Sequence, residues 1–142
     1  YIASGIIPNF IIPLPIVPTL FKSYEVNKVV KLNSVSDTTV DLIYINDVIV
    51  ILKLLLINFI NKEINFEIFN LSNGSLVKIE DIVEIMDKLT GAKSIIFYGN
   101  KKNTDLFMSN KKINSFLMSK KRTDLTKSLE ESFSKYLKSK NE

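Results

Sequence analysis

Apolar positions along the chain fall into two periods. Ile79, Ile82, Val83, Met86 and Leu89 recur at three- and four-residue steps, the stripe of an amphipathic helix. Glu80 and Asp81 sit in its first turn, where the helix dipole favours them, and Gly91 stands just past its end. Leu125, Leu129, Phe133 and Leu137 repeat at intervals of four and predict a last helix, with Thr123 placed to cap it. Shorter apolar runs lack the helical period and read as strands: residues 2–7, VVKL (29–32), VDLIYI (40–45), FEIFNLS (66–72) and SIIFY (94–98). The polar loop NSVSDTT predicts a hairpin between the second and third of these, and Asn73-Gly74 closes the fourth. A proline-broken loop runs through Pro15. Pro18 then suits the first turn of a helix over about 17–25, where its missing N–H is no loss. GNKKNTD, after SIIFY, is a loop. The alternation of strand, loop and helix predicts an α/β fold.

One stretch, DLIYINDVIVILKLLL (41–56), sets Asp41, Asn46 and Asp47 in an otherwise apolar run. Asp47 directly precedes the apolar segment 48–60, so its carboxylate is expected to cap that helix, a contribution of ~1 kcal/mol. The helix is too short for a membrane span of about 20 residues and includes Lys53, so it is expected to be buried in protein. Residues 6–21 are apolar too, but their four prolines would strand backbone groups in lipid. They also lack the charged start and cleavage site of a signal peptide.

Composition narrows the chemistry. The 142 residues fit one domain or a piece of a larger one, and the chain opens on Tyr1, which suggests a trimmed chain or a fragment. With no cysteine and no histidine, thiolate catalysis, cysteine-based zinc sites and the commonest general base are excluded, and metal chemistry would rest on unclustered carboxylates. Neither absence suggests secretion, and a cytoplasmic location is expected. The net charge of +4 divides into −1 over residues 1–110 and +5 over residues 111–142. That basic end is mostly lysine between serines with little aromatic interleaving, so it reads as a solvated helix face and tail rather than a nucleic-acid patch.

Four segments in order carry a family resemblance. D-L-I-Y-I-N-D-V (41–48) resembles the Asp-aromatic-Ile-Tyr-Val-x-Asp-Val signature of the NAD-dependent epimerase/dehydratase family, the extended short-chain dehydrogenases that act mostly on nucleotide sugars. F-N-L-S-N-G (69–74) with V-K-I-E-D-I-V-E-I-M (77–86) is similar to the family's Asn-Ile-Gly-Ser-Gly turn and following helix. Asp105, S-N-K-K-I-N-S-F-L (109–117) and T-D-L-T-K-S-L (123–129) resemble its closing segment, and I-A-S-G-I-I-P (2–8) its Asn/Ser-Val-Tyr-Gly-Pro strand end. The resemblance spans nearly all 142 residues, and no single motif in it is specific.

The resemblance implies the C-terminal, substrate-binding portion (1–142) of a Rossmann-type extended short-chain dehydrogenase, with residues 111–142 as a basic C-terminal helix and tail. The family's glycine-rich phosphate turn and Tyr-x-x-x-Lys pair are absent and would lie ahead of Tyr1. Tyr24 and Lys28 match the pair's spacing, but they follow the strand that the family's pair precedes. NAD or NADP would be bound mainly by the missing N-terminal half, which would also supply the acid/base pair, so the chain would not catalyse alone. The substrate would be a nucleotide sugar, and homodimers are common in the family. By matching motif positions, Ser4, Pro8, Asn9 and Asp105 are the candidate substrate-binding residues. Asn70 and Gly74 read as a turn device, and Lys101, Lys102, Lys111 and Lys112 as solvated side chains near a site that wants phosphate partners.

Departures from the pattern support an alternative, a non-catalytic remnant or binding module of the same fold. Val40 stands where an arginine often meets substrate phosphates, Ile6–Ile7 replace Tyr-Gly, and Tyr1 replaces an arginine. Ser36–Asp37 and Ser128 replace glycines, and Phe116–Leu117–Met118 replace Leu-Gly-Trp.

Overall fold

A computed structural model describes residues 16–32, 35–61, 66–100, 107–117 and 122–140. Nine elements follow one another among them: α1 (Ile16–Val26), β1 (Val29–Lys31), β2 (Thr39–Asp41), α2 (Ile45–Ile60), β3 (Leu76–Lys78), α3 (Ile79–Thr90), β4 (Ile95–Phe97), α4 (Lys111–Leu117) and α5 (Leu125–Lys138). The α/β expectation holds. No helix among the described residues is long and apolar enough to cross a membrane.

α3 organises the core. Its stripe of Ile79, Ile82, Val83 and Met86 is buried against Leu20, Phe21 and Tyr24 of α1, Val30 and Leu32 at β1, and Leu129 of α5. Glu80 and Asp81 occupy the first turn, and Gly91 ends the helix in the left-handed conformation at φ 62°, as the sequence predicts. Phe21 meets the rings of Phe133 and Tyr136 at 5.2 and 5.6 Å, which locks α1 against α5.

The strands pair differently from the predicted hairpin. β1 runs parallel to β4 with Val29, Val30 and Lys31 opposite Ile95, Ile96 and Phe97, while β2 runs antiparallel to β3 with Thr39, Val40 and Asp41 opposite Lys78, Val77 and Leu76. β1 therefore finds its partner beyond both following strands, and β2 pairs with β3 across α2; α3 connects β3 to β4, and its apolar stripe draws both pairs to one core. Between the two pairs, Asp37 takes the left-handed conformation at φ 60° where the resembling pattern has glycine, a conformation that a short polar side chain tolerates.

Further expectations change. VDLIYI is a strand only to Asp41, and the helix expected at 48–60 begins at Ile45, so Tyr44 is its N-cap residue, with no side-chain hydrogen bond. Asp47 thereby falls inside the first turn instead of capping it. α5 is capped by Asp124 rather than Thr123: the Asp124 carboxylate accepts from the N–H groups of Thr126 (3.0 Å) and Lys127 (3.3 Å). Asp124→Ala is expected to cost ~1 kcal/mol in urea unfolding, whereas an uncapped α5 would leave the midpoint unmoved. FEIFNLS forms no strand, and α2, expected to be buried, shows only Ile51 fully buried.

Candidate functional site

The carboxylates of the first signature tie the other motif segments together. Because Asp41 lies opposite Leu76 in the β2–β3 pair, its side chain meets the turn that leads into β3. Oδ1 accepts from the Asn73 N–H at 2.9 Å and Oδ2 from the Gly74 N–H at 3.2 Å. Asn110 closes the same turn from the other side, its Nδ2 donating to the carbonyls of Asn73 (2.8 Å) and Ser72 (3.3 Å). Gly74 has φ +76°, and a Cβ there would stand 2.4 Å from Asn110 Nδ2. The buried Ser72 donates to the Met108 carbonyl at 2.7 Å, and Asn70 to that of Ser109 at 3.2 Å. Residues 70–74 are thus stitched to 108–110, which fixes the chain three residues after Asp105.

Asp47 serves a second junction. Its carboxylate accepts from the Thr123 N–H at 2.9 Å and the Thr123 hydroxyl at 2.7 Å, holding the start of α5 against α2. Beside it, Arg122 donates to Asn114 Oδ1 of α4 at 2.8 Å. Tyr44 donates to Glu131 Oε2 at 2.6 Å and accepts from Asn46 Nδ2 at 3.0 Å. Each carboxylate of the Asp-x-x-x-x-x-Asp spacing therefore contacts a different later motif.

The bond to Glu131, with a smaller contribution from burial, pushes the Tyr44 phenol up to about 12. Ionisation would place a phenolate against a carboxylate. Its raised folded value means that the stabilisation is complete below the ordinary tyrosine value of about 10 and disappears as pH rises through about 12. Ultraviolet titration of phenolate absorbance should show a step near pH 12 that Tyr44→Phe removes. A Tyr44 step near 10 would contradict the contact.

The candidate substrate residues Ser4, Pro8, Asn9 and Asp105 lie outside the described residues, as do Lys101 and Lys102. Lys111 is exposed. Lys112 is ion-paired with Glu67 and lies 5.2 Å from the Phe69 ring centre. Gly74 takes the left-handed conformation of a turn, as read, whereas Asn70 bonds to Ser109, 39 residues away, instead of locally. Val40 pairs across to Val77 and packs on the core. Tyr24 faces the interior: its phenol lies 2.7 Å from Asp87 Oδ1 and 2.9 Å from the Val83 carbonyl, and burial pushes its ionisation well up. It is no partner for Lys28. The sequence reading missed Asn110 and Thr123 as the partners of the turn and of Asp47; a short polar residue at each landmark was the available signal.

These residues do not fit a dinucleotide. The N–H groups of the Asn73-Gly74 turn are taken by Asp41, and the space a Cβ would fill is taken by Asn110, so no cradle remains for a phosphate. Among the described residues there is also no cluster of acidic side chains able to hold a metal ion.

No family model matches the chain, and no curated protein matches it in sequence. Solved structures do match in shape. UDP-glucose 4-epimerase aligns with 90% of this chain and 42% of its own at a TM-score of 0.76 and 16% identity. The fold is that of the C-terminal portion of such epimerases. RMD from Pseudomonas aeruginosa, complexed with NADPH, gives a TM-score of 0.70 at 14% identity over 84% of this chain and 41% of its own. UDP-glucuronic acid 4-epimerase from Bacillus cereus, in complex with NAD, gives 0.67 at 20% identity over 84% and 37%. The chain spans less than half the length of each of these structures.

Proposed function

We propose that this chain is the substrate-binding portion of an NAD(P)-dependent sugar-nucleotide epimerase, dehydratase or reductase, a member of the extended short-chain dehydrogenases acting in the cytoplasm. The match to two-fifths of the length of nucleotide-sugar epimerase structures is the observation that carries the reading. The mutual bonding of the motif segments supports it: Asp41 holds the Asn73-Gly74 turn and Asp47 holds Thr123. Dinucleotide and acid/base pair belong to a separate N-terminal half, and residues 1–142 do not catalyse alone. Ser4, Pro8 and Asn9 border the substrate, and Asp105 approaches it from the loop whose far end Ser72, Asn73 and Asn70 anchor. The enzyme works as a homodimer.

The test is titration of the product of the whole reading frame with a panel of nucleotide sugars in the presence of NAD or NADP, followed by product analysis. An epimerised, dehydrated or reduced sugar supports the reading. A product that binds the dinucleotide but turns over none of the panel favours the second reading, a non-catalytic binding module. Val40 favours that reading, because a core valine stands where an arginine would meet the diphosphate.

A further inference from the structure

Asn73-Gly74 is the only Asn-Gly pair in the sequence; every other asparagine is followed by a residue that carries a side chain. An asparagine before glycine cyclises without a reagent, because no Cβ on the next residue hinders the backbone nitrogen. The Gly74 nitrogen attacks Asn73 Cγ, an N–Cγ bond forms, and the Cγ–Nδ2 bond breaks. Ammonia leaves with the proton of the Gly74 N–H, and a succinimide ring remains. Water then opens the ring at either carbonyl. The sum is asparagine plus water giving aspartate or isoaspartate plus ammonia, with no change of oxidation state.

The reacting groups are neighbours, and what the fold withholds is movement. Asn73 is half-buried, and its Nδ2 reaches past Gly74 to the Ser75 hydroxyl at 2.8 Å, so the side chain is turned toward the residues that follow it. The peptide between Asn73 and Gly74 is pinned at both ends. Its N–H donates to Asp41 Oδ2 at 3.2 Å, and its carbonyl accepts from Asn110 Nδ2 at 2.8 Å. The Asn73 N–H is held too, by Asp41 Oδ1 at 2.9 Å. Both anchors are distant in sequence, 33 residues for Asp41 and 37 for Asn110. Ring closure draws the Gly74 nitrogen onto Cγ and removes the very hydrogen that Asp41 accepts, so it must break this grip. The gate is therefore local opening of the junction.

We propose that Asn73 is a deamidation site that Asp41 and Asn110 keep shut, so that conversion proceeds only through opening of the junction between residues 70–74 and 108–110 and, once made, weakens that junction for good. The product carries a new carboxylate in a turn whose backbone is held by the Asp41 carboxylate, and like charges so placed repel. In the isoaspartate form an extra methylene enters the main chain and displaces the Gly74 N–H from Asp41. Either product loosens residues 108–110, which Asn70, Ser72 and the Asn73 carbonyl hold in place. Loss of ammonia to bulk water makes the change one-way.

The product of the whole reading frame and a synthetic peptide of residues 66–82 are to be incubated side by side at mildly alkaline pH. Conversion at 73 is read by peptide mass, with aspartyl and isoaspartyl forms separated by chromatography, and exchange of the Gly74 amide is followed by NMR. Conversion at least about 10-fold slower in the protein than in the peptide is expected, with Gly74 exchange slowed by the same factor to within about fivefold. Asn110→Ala and Asp41→Asn, the second keeping the size of the side chain without its charge, should each speed conversion about 10-fold while the α3 amides stay protected. Conversion as fast as in the peptide means that the site is not shut, and no conversion in either means that it is no site; both overturn the proposal. Unchanged or slower conversion in either folded variant overturns it too, a slower Asp41→Asn by making the carboxylate the base of the reaction instead of its lock. Where a variant does not fold, the unsubstituted protein decides, and slowing of conversion and of exchange that differ by more than about fivefold overturns the proposal.

Discussion

Replacing Gly74 by alanine is expected to destabilise the chain by about 2–5 kcal/mol. Two costs combine. At φ +76° an L-residue loses about 1–2 kcal/mol to contact between its Cβ and its own backbone. The added Cβ would also stand 2.4 Å from Asn110 Nδ2, so Asn110 must swing away and forfeit its bonds to the Asn73 and Ser72 carbonyls. Leaving such partly buried carbonyls unmet costs about 1–3 kcal/mol. The shift should appear in the denaturant midpoint at constant m-value. Asn110→Ala alone gives up the bonds but frees the space, so the double variant should cost less than the sum of the two single ones. Strict additivity, or a loss below about 0.5 kcal/mol for Gly74→Ala, would mean that the turn is not held as described.

Ile82→Ala is the second large effect, about 2–5 kcal/mol, because Ile82 is wholly buried on the apolar stripe of α3 and its neighbours from α1, β1 and α5 cannot all close on the void. Ile82→Val should cost only about 0.5–1.5 kcal/mol. The telling comparison is Leu56→Ala. It removes the same number of carbon atoms from a side chain that is 58% exposed, so the chain taken alone should lose less than about 1 kcal/mol. Equal losses at 56 and 82 in the chain alone would contradict the packing of α2.

The parts legible in the sequence are those set by local rules. α3 was readable because its stripe, its acidic first turn and Gly91 agree at every level, and SIIFY because β-branched residues between polar ones leave little else to form. Pairing was not readable: VVKL and VDLIYI are neighbours in sequence, but α3 brings β4 to the first and β3 to the second. FEIFNLS shows the limit of strand propensity, since the alternation is present and the ladder is not. Asp47 shows another limit. Its position before an apolar run fits a cap, but the helix starts two residues earlier, and the carboxylate is free to take Thr123, 76 residues away. α4 is only seven residues long, too short for periodicity to mark. The apolar character of α2 was plain, but sequence pattern says that a face will be covered and not by what. The candidate substrate residues came from motif order alone, and the described structure reaches only the frame around one of them, at 108–110.

On the proposed function, polypeptide other than residues 1–142 holds the dinucleotide. Calorimetric titration of the isolated chain and of the product of the whole reading frame with NAD and NADP tests this most directly. No saturable binding to the chain alone is expected, against saturable binding of one dinucleotide per full-length subunit. Saturable binding of either dinucleotide to residues 1–142 by themselves would contradict it.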